Sequence, residues 1–279
     1  MQNNALQMAS DAIEYIEEHL ASDITLGDLA RQLYYSRCHL QRVFRQVVGI
    51  SPHTYSVRRR LTRAAWLLTH TNTPIVQIAL GCGYQSQQSF GAAFLAMYKL
   101  SPAKFRLQGS FYPLQSHVEL LQGDMLPRFA PANVRHATGA DWQSYMRLGA
   151  ICVDGFPHWH RRAFLQALQA ATASHRALVL DHGGRVVALC IVSATAPHID
   201  YIALHPQYRH TGGDTALLQY LQCQVYPGQT ITTTTYRPGD KADTGYYHWL
   251  VGLGFVPLGH LTEYGYPTCL LGLKPLHCQ

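Results

Sequence analysis

Arg37, His39, Gln41, Arg42 and Gln46 fall on one side of a stretch whose other side is Leu40, Val43, Phe44 and Val47. Guanidinium and carboxamide groups held in a row offer paired donors and acceptors. Those pairs match the major-groove edges of guanine and adenine. A second stretch repeats the plan, with Gln87, Gln88 and Ser89 outward and Phe90, Ala93, Phe94 and Met97 inward. Cys38 also lies on the outward side of the first stretch, and Arg58, Arg59 and Arg60 stand between the two. Charge points the same way. Residues 1–108 hold 11 of the 22 Lys and Arg but only 6 of the 16 Asp and Glu, and no acidic residue occurs from 29 through 118. A stretch that basic attracts phosphate by releasing counterions, so double-stranded DNA is the expected partner.

The elements that must hold these side chains repeat as a block. Ser36, Phe44, Ser51-Pro52 and Tyr55 return fifty residues later as Ser86, Phe94, Ser101-Pro102 and Phe105. Ala30 and Ala79 head the copies at an offset of 49, so the second turn has one extra residue. Residues 5–20 read as a lead-in helix, and Thr25-x-x-Asp28 as a capping box opening a helix. Tyr34-Tyr35 makes a turn, Ser36 caps a second helix, and Gly49 ends it at positive φ. In the second copy Thr73 caps, Pro74 takes the first helical position, and Ser86 caps again. Leu61, Ala64, Ala65 and Leu68 mark a connecting helix at i, i+3, i+4, i+7. Some 17 residues of helix span roughly 26 Å, a little short of the roughly 34 Å between successive major-groove faces. One polypeptide thus carries two reading heads.

At 279 residues the chain has room for a second domain. Residues 109–131, with Pro113, Pro127 and Pro131, read as a linker holding a short helix over 117–122. From 132 on, the pattern alternates strands and helices: strands at 134–138, 177–180, 186–193, 198–204, 230–236, 255–258 and 269–273, helices from 141, over 161–173, 214–222 and 245–253. His182-Gly183-Gly184 marks a hairpin. The expected fold is therefore two domains: an all-α double helix-turn-helix over 1–108, then an α/β (α+β) domain over 132–279 with a mixed, mostly antiparallel sheet. Seven scattered cysteines without a C-x-x-C pair fit reduced thiols in a cytoplasm. No stretch reaches 18 apolar residues, so no membrane partner is expected.

Other groupings are weaker. His158-Trp159-His160-Arg161-Arg162 has two histidines and no third ligand, and the sixteen histidines are dispersed, so no metal site is expected. His198-x-Asp200 puts a base and a carboxylate on one strand face. Tyr246, Tyr247, Trp249, Tyr264 and Tyr266 form an aromatic group that suits either a flat or cationic ligand or ordinary packing.

The stretches "SRCHLQRVFRQVVGISPHTYSVRRRL" and "PIVQIALGCGYQSQQSFGAAFLAMYKLSPAKFR" resemble the DNA-binding domain of AraC/XylS-type regulators, in the MarA, SoxS and Rob branch. The resemblance covers residues 8–107. It implies two recognition helices in adjacent major grooves, with Gln41, Arg42 and Gln88 facing the grooves, and RNA polymerase as a further partner. Two positions depart from it: Cys38 stands where relatives usually carry tryptophan, and Ala92, after Gly91, where an arginine is frequent. The second head is therefore expected to read sequence less tightly.

The rear order of elements, with "VRHATGADW", "DHGGRVVALCIVS", "IALHPQYRHTGGDTALLQYL" and "YYHWLVGLGF", resembles the GNAT acetyltransferase fold. That resemblance implies a loop, Arg209-His210-Thr211-Gly212-Gly213 after Leu204, whose amides hold the pyrophosphate of acetyl-CoA or another acyl-CoA at a helix N-terminus. Asp214 occupies the family's last small position, and Leu250 stands where a tyrosine general acid is frequent. These two losses imply a small-molecule or acyl-CoA sensor, with a pocket near Asp200, Tyr246, Tyr247 and Trp249, rather than an acyl-CoA-dependent N-acyltransferase. The tethered N-acetyltransferase is the alternative.

Overall fold

The computed structural model describes residues 2–121, 126–152 and 161–276, and the chain divides into two compact units, Met1–Asp124 and Met125–Gln279.

The first unit is helical: α1 (Gln2–Glu18), α2 (Leu26–Gln32), α3 (Arg37–Val48), α4 (Pro52–His70), α5 (Ile75–Gly81), α6 (Gln87–Tyr98) and α7 (Pro102–Gln108). Its starts follow local chemistry. Thr25 and Asp28 form a reciprocal capping box, and the hydroxyls of Ser36, Ser51, Ser86 and Ser101 each accept an amide three residues on. Pro74 sits at the cap of α5 with no side-chain bond, one position earlier in the helix frame than expected. The two turns share a left-handed residue at the same place, Tyr34 at φ 60° and Gly83 at φ 76°. Leu61, Ala64, Ala65 and Leu68 of α4 bury against Ile78, Phe90, Phe94, Tyr98 and Phe105. The connecting helix is thus the spine on which the second head packs.

Residues 110–121 differ from the expected linker. They form no helix; Gln122, at the end of the expected one, lies outside the described residues. The segment is instead a strap. It buries Tyr112, Leu114 and Val118 and is tied to α4 through its backbone. The Leu114 and Gln115 amides donate to Thr62 Oγ1 at 3.0 and 3.1 Å, and Tyr98 OH donates to Tyr112 O at 3.3 Å. A buried backbone needs such partners, and α4, through Thr62, and α6, through Tyr98, supply them.

The second unit is built on one mixed sheet of order β1-β2-β3-β4-β5-β7-β6. Its strands are β1 (Arg135–His136), β2 (Ala177–His182), β3 (Arg185–Val192), β4 (His198–Leu204), β5 (Ile231–Tyr236), β6 (Val256–Glu263) and β7 (Tyr266–Leu273). Gly183 and Gly184 both take positive φ, as a two-residue hairpin turn requires. Helices α8 (Trp142–Ile151) and α9 (Arg161–Ala173) cover one face, where Tyr145, Leu148, Phe164 and Leu168 meet Val179, Leu189 and Tyr201. Helices α10 (Gly213–Tyr220) and α11 (Tyr246–Gly252) follow β4 and β5. Every pairing is antiparallel except β4 with β5. Cysteines 38, 82, 152, 190 and 269 are free, but Cys223 is disulfide-bonded, which corrects the expectation of reduced thiols throughout. No described helix is long and apolar enough to cross a membrane.

Candidate nucleic-acid interface and second site

Helix α3 sorts its residues as its spacing demands. Leu40, Val43, Phe44, Val47 and Val48 are buried, which leaves Arg37, Cys38, His39, Gln41, Arg42, Arg45 and Gln46 exposed. Arg42 Nη2 lies 3.2 Å from His39 Nδ1, so the two share one exposed face. Arg37 folds back over α2, its guanidinium against the space beside Gly27. In α6 Phe90, Phe94 and Tyr98 are buried, while Gln87, Gln88, Ser89 and Ala92 are exposed. The hydroxyls of Ser86 and Ser89 are largely spent on the cap: Ser89 N donates to Ser86 Oγ at 3.1 Å and Ser89 Oγ to Ser86 O at 3.0 Å. The second recognition helix therefore presents two glutamines and no cation, against the three arginines Arg37, Arg42 and Arg45 of the first.

Arg58, Arg59 and Arg60 are not part of this surface, contrary to the expectation that they contact DNA. Arg58 is fully buried and its Nη2 donates to Leu114 O at 2.6 Å. Arg59 grips Glu17 with Nε and Nη2 at 2.6 and 2.7 Å and reaches Gln115 O with Nη1 at 3.0 Å. Arg60 is buried, bonds Asp23 at 3.0 Å and lies 5.1 Å from the centroid of the Tyr84 ring. Buried guanidinium groups persist only when paired, and these three buckle α1, the strap and the second turn to α4. Arg106 is likewise internal, donating to Leu68 O and Thr73 O. Arg31, Arg45, Arg63 and Lys104 are exposed as well, beyond the residues expected at the interface. Their only signal was membership of the acid-free stretch.

Glu17 carries the electrostatic centre of the buckle. Burial alone would raise its carboxyl; the Arg59 hydrogen bonds, the Arg59 charge and the Tyr55 hydroxyl together hold it below the ordinary glutamate range. Tyr55 OH donates to Glu17 Oε1 at 2.9 Å, and burial with the Glu17 charge pushes that phenol far up.

In the second unit, β4 and β5 pair only at His198↔Thr232 and Ile199↔Thr233. Beyond these the strands part, and a crevice outside the carboxyl ends of parallel strands is where α/β sheets place ligands. Gly212 at φ 79° begins α10 on the β4 side. On the β5 side Asp243 caps α11, accepting from Gly245, Tyr246 and Tyr247 amides. The two helices are joined: Trp249 Nε1 donates to Asp214 Oδ2 at 3.0 Å. Asp214 Oδ1 accepts from Thr215 N at 2.8 Å, so a resident carboxylate sits at the α10 N-terminus.

The predicted pocket residues are only partly gathered. Trp249 reaches Asp214, and Tyr246 stands edge-on to Trp249 at 5.5 Å. Tyr264 lies apart in the exposed β6–β7 turn, and buried Tyr266 is bonded to Asp240, so the five aromatics are not one cluster. Asp200 is exposed at the β4 end of the β4–β5 junction; partial burial raises its carboxyl, with His198 and Arg176 opposing. Leu250 is buried. A cavity of about 390 Å³ lies elsewhere, lined by Pro131, Ala132, Gln219, Tyr220, Cys223, Gln224 and Leu276. Residues 158–160 of the His-Trp-His run lie outside the described residues. Among the described residues no three His, Cys, Asp or Glu are grouped to hold a metal.

The fold of the first unit and its exposed glutamine and arginine face define a helix-turn-helix DNA-binding protein. A helix-turn-helix domain family matches residues 29–108. The HTH-type transcriptional activator AarP of Providencia stuartii is 40% identical over 37% of this chain and 76% of its own length. The regulatory protein SoxS of Salmonella typhimurium is 36% identical over 36% of this chain and 94% of its own. The chain belongs to the AraC family of helix-turn-helix transcriptional regulators. A GNAT-family acetyltransferase structure from Bacillus cereus is similar over 52% of this chain and 98% of its own at 16% identity and TM-score 0.41. That likeness is too distant to bear on function.

Proposed function

We propose that this regulator reads an asymmetric duplex site with both heads of one chain and that its second unit is a GNAT-like, ligand-responsive module. Residues Arg37, Cys38, His39, Gln41, Arg42 and Gln46 face one major groove, and Gln87, Gln88 and Ser89 the next. RNA polymerase is the partner at the promoter. The reading of the heads rests on the sorting of α3 and α6 into one buried and one donor-bearing face. The α4 spine of 19 residues spans about 28 Å at 1.5 Å per residue, close to one turn of DNA.

For the second unit the supporting observation is Asp214. A free helix N-terminus attracts an anion, but here a carboxylate already fills it, held by Thr215 N and Trp249 Nε1. An acyl-CoA pyrophosphate arriving at Leu204 and Arg209–Gly213 would meet a negative charge. Leu250 also offers no proton where the GNAT resemblance puts a general acid, a role typically contributing about 10²–10⁴-fold. Response to a small-molecule effector is therefore favoured over acetyl transfer. The test is a thermal-shift screen of the full chain against acyl-CoAs and a metabolite panel, since a ligand of the folded state raises the melting temperature. Saturable stabilisation without turnover is the expected result; steady acetyl-CoA turnover would establish the tethered N-acyltransferase instead.

A further inference from the structure

The paired glycines of the α10 loop make room for the chain itself. Phe129 N donates to Thr211 O at 2.8 Å. Phe129 O lies 3.3 Å from where a Cβ on Gly212 would stand, and the Phe129 ring 3.4 Å from one on Gly213. That ring also leans toward the buried Tyr208, centroids 6.5 Å apart. A side chain at Gly213 would further meet Leu180 and Leu204, each at 3.2 Å. Gly212 needs its positive φ as well. Phe129 is thus one of the groups that crowd both glycines, beside Leu180 and Leu204 at Gly213 and the positive φ of Gly212.

We propose that the Phe129 segment and the Asp214 carboxylate together form a built-in plug of the anion loop. Occupation of the loop by a phosphorylated ligand and anchoring of Phe129 are then mutually exclusive. The inference rests on reading this loop as the ligand loop of the second unit, and it adds how that site is regulated. Two contacts close it from different sides. Asp214 supplies the anion and ties α10 to α11 through Trp249, while Phe129 lays its backbone along Thr211 and Gly212. Phe129 belongs to the stretch by which the chain enters the second unit. A ligand that displaces it changes where the second unit's first residues are held, before any other part of the fold has to move. Ligand binding is thereby converted into release of the connecting chain.

The experiment uses the full chain, with acetyl-CoA as the probe. Affinity is read by calorimetry, and exchange of the Phe129 amide by hydrogen–deuterium exchange. In the unmutated chain the Phe129 amide is expected to be protected and acetyl-CoA to bind weakly. Asp214→Gly and Asp214→Asn are each expected to tighten binding at least tenfold, the second removing the charge while keeping an oxygen acceptor for Trp249 as a control for folding. Saturating acetyl-CoA should then raise exchange at Phe129 at least tenfold. Phe129→Ala should tighten binding without touching the charge. If acetyl-CoA binds these variants while the Phe129 amide stays protected, the plug is refuted and the ligand loop survives. If none of the three variants, each folded by circular dichroism, binds acetyl-CoA, the ligand-loop reading falls and the plug with it.

Discussion

Replacing Glu17 with alanine should destabilise the first unit by about 3–5 kcal/mol, the range for removing one partner of a buried ion pair. The geometry places it there. Glu17 and Arg59 side chains are only 19% and 18% exposed, and two short bonds join them. Tyr55 OH, fully buried, donates to the same carboxylate. After the substitution Arg59 retains Gln115 O but loses its carboxylate, and the Tyr55 proton loses the Glu17 acceptor. A double-mutant cycle with Arg59→Ala should return a coupling of about 1.5–3 kcal/mol, typical of hydrogen bonds to charged groups. The sign with pH follows from the carboxyl's lowered pKa. Its contribution is complete above the ordinary glutamate value of 4.5 and is lost as pH falls through the lower folded value. The acid limb of stability should therefore flatten in the variant. Denaturant unfolding of the full chain, followed at backbone amides of α1 and α4, measures all three. A loss below about 1 kcal/mol, or an Arg59→Ala variant that mainly weakens DNA binding, would refute the internal role of the triplet.

Further outcomes concern single residues. Arg42→Ala should weaken binding to a selected duplex by about 1–3 kcal/mol and relax preference at one base pair, measured by fluorescence anisotropy on sequence variants. Tyr34→Gly should stabilise the first turn by up to about 1 kcal/mol, because a non-glycine residue at φ 60° is strained, although glycine's unfolded-chain entropy offsets part. Gly83→Ala should do the reverse and more, since its φ is 76° and a Cβ would stand 2.9 Å from Arg60 Nη1 and 3.1 Å from the Ser22 carbonyl carbon; thermal melts rank the two. Thr62→Val, which leaves the Leu114 and Gln115 amides without an acceptor, should cost about 1–3 kcal/mol and speed amide exchange in the strap.

What was legible in the sequence was local. Ser36, Ser51, Ser86 and Ser101 cap helices because a hydroxyl three residues from a free amide needs no distant partner, and the same holds for Gly183-Gly184 in its turn. The buried and exposed faces of α3 and α6 followed from periodicity alone. The internal role of the arginine triplet is not legible locally because its partners Glu17, Asp23, Leu114 and Gln115 lie 37–56 residues away. Three basic residues in a row look the same whether they meet phosphate or carbonyl oxygen. The strap is hidden for a related reason: residues 110–121 have no repeat of their own and take their order from α4 and α6. Asp214 was recognised as an intruding charge, but its bond to Trp249 joins two helices whose approach only the sheet decides.

The central claim is that one chain reads DNA with two heads, and selection of duplexes from a random pool by the full chain tests it directly. Seven of the 11 basic residues of 1–108 remain once Arg58, Arg59, Arg60 and Arg106 are assigned to internal bonds. At about −0.9 per phosphate contact, log affinity against log salt should fall no more steeply than about −6 per chain. The recovered sites should hold two unlike blocks about one helical turn apart, the stronger facing α3, bound by a single chain. An inverted repeat bound only by a dimer, or equal binding to selected and random DNA at moderate salt, would contradict the account.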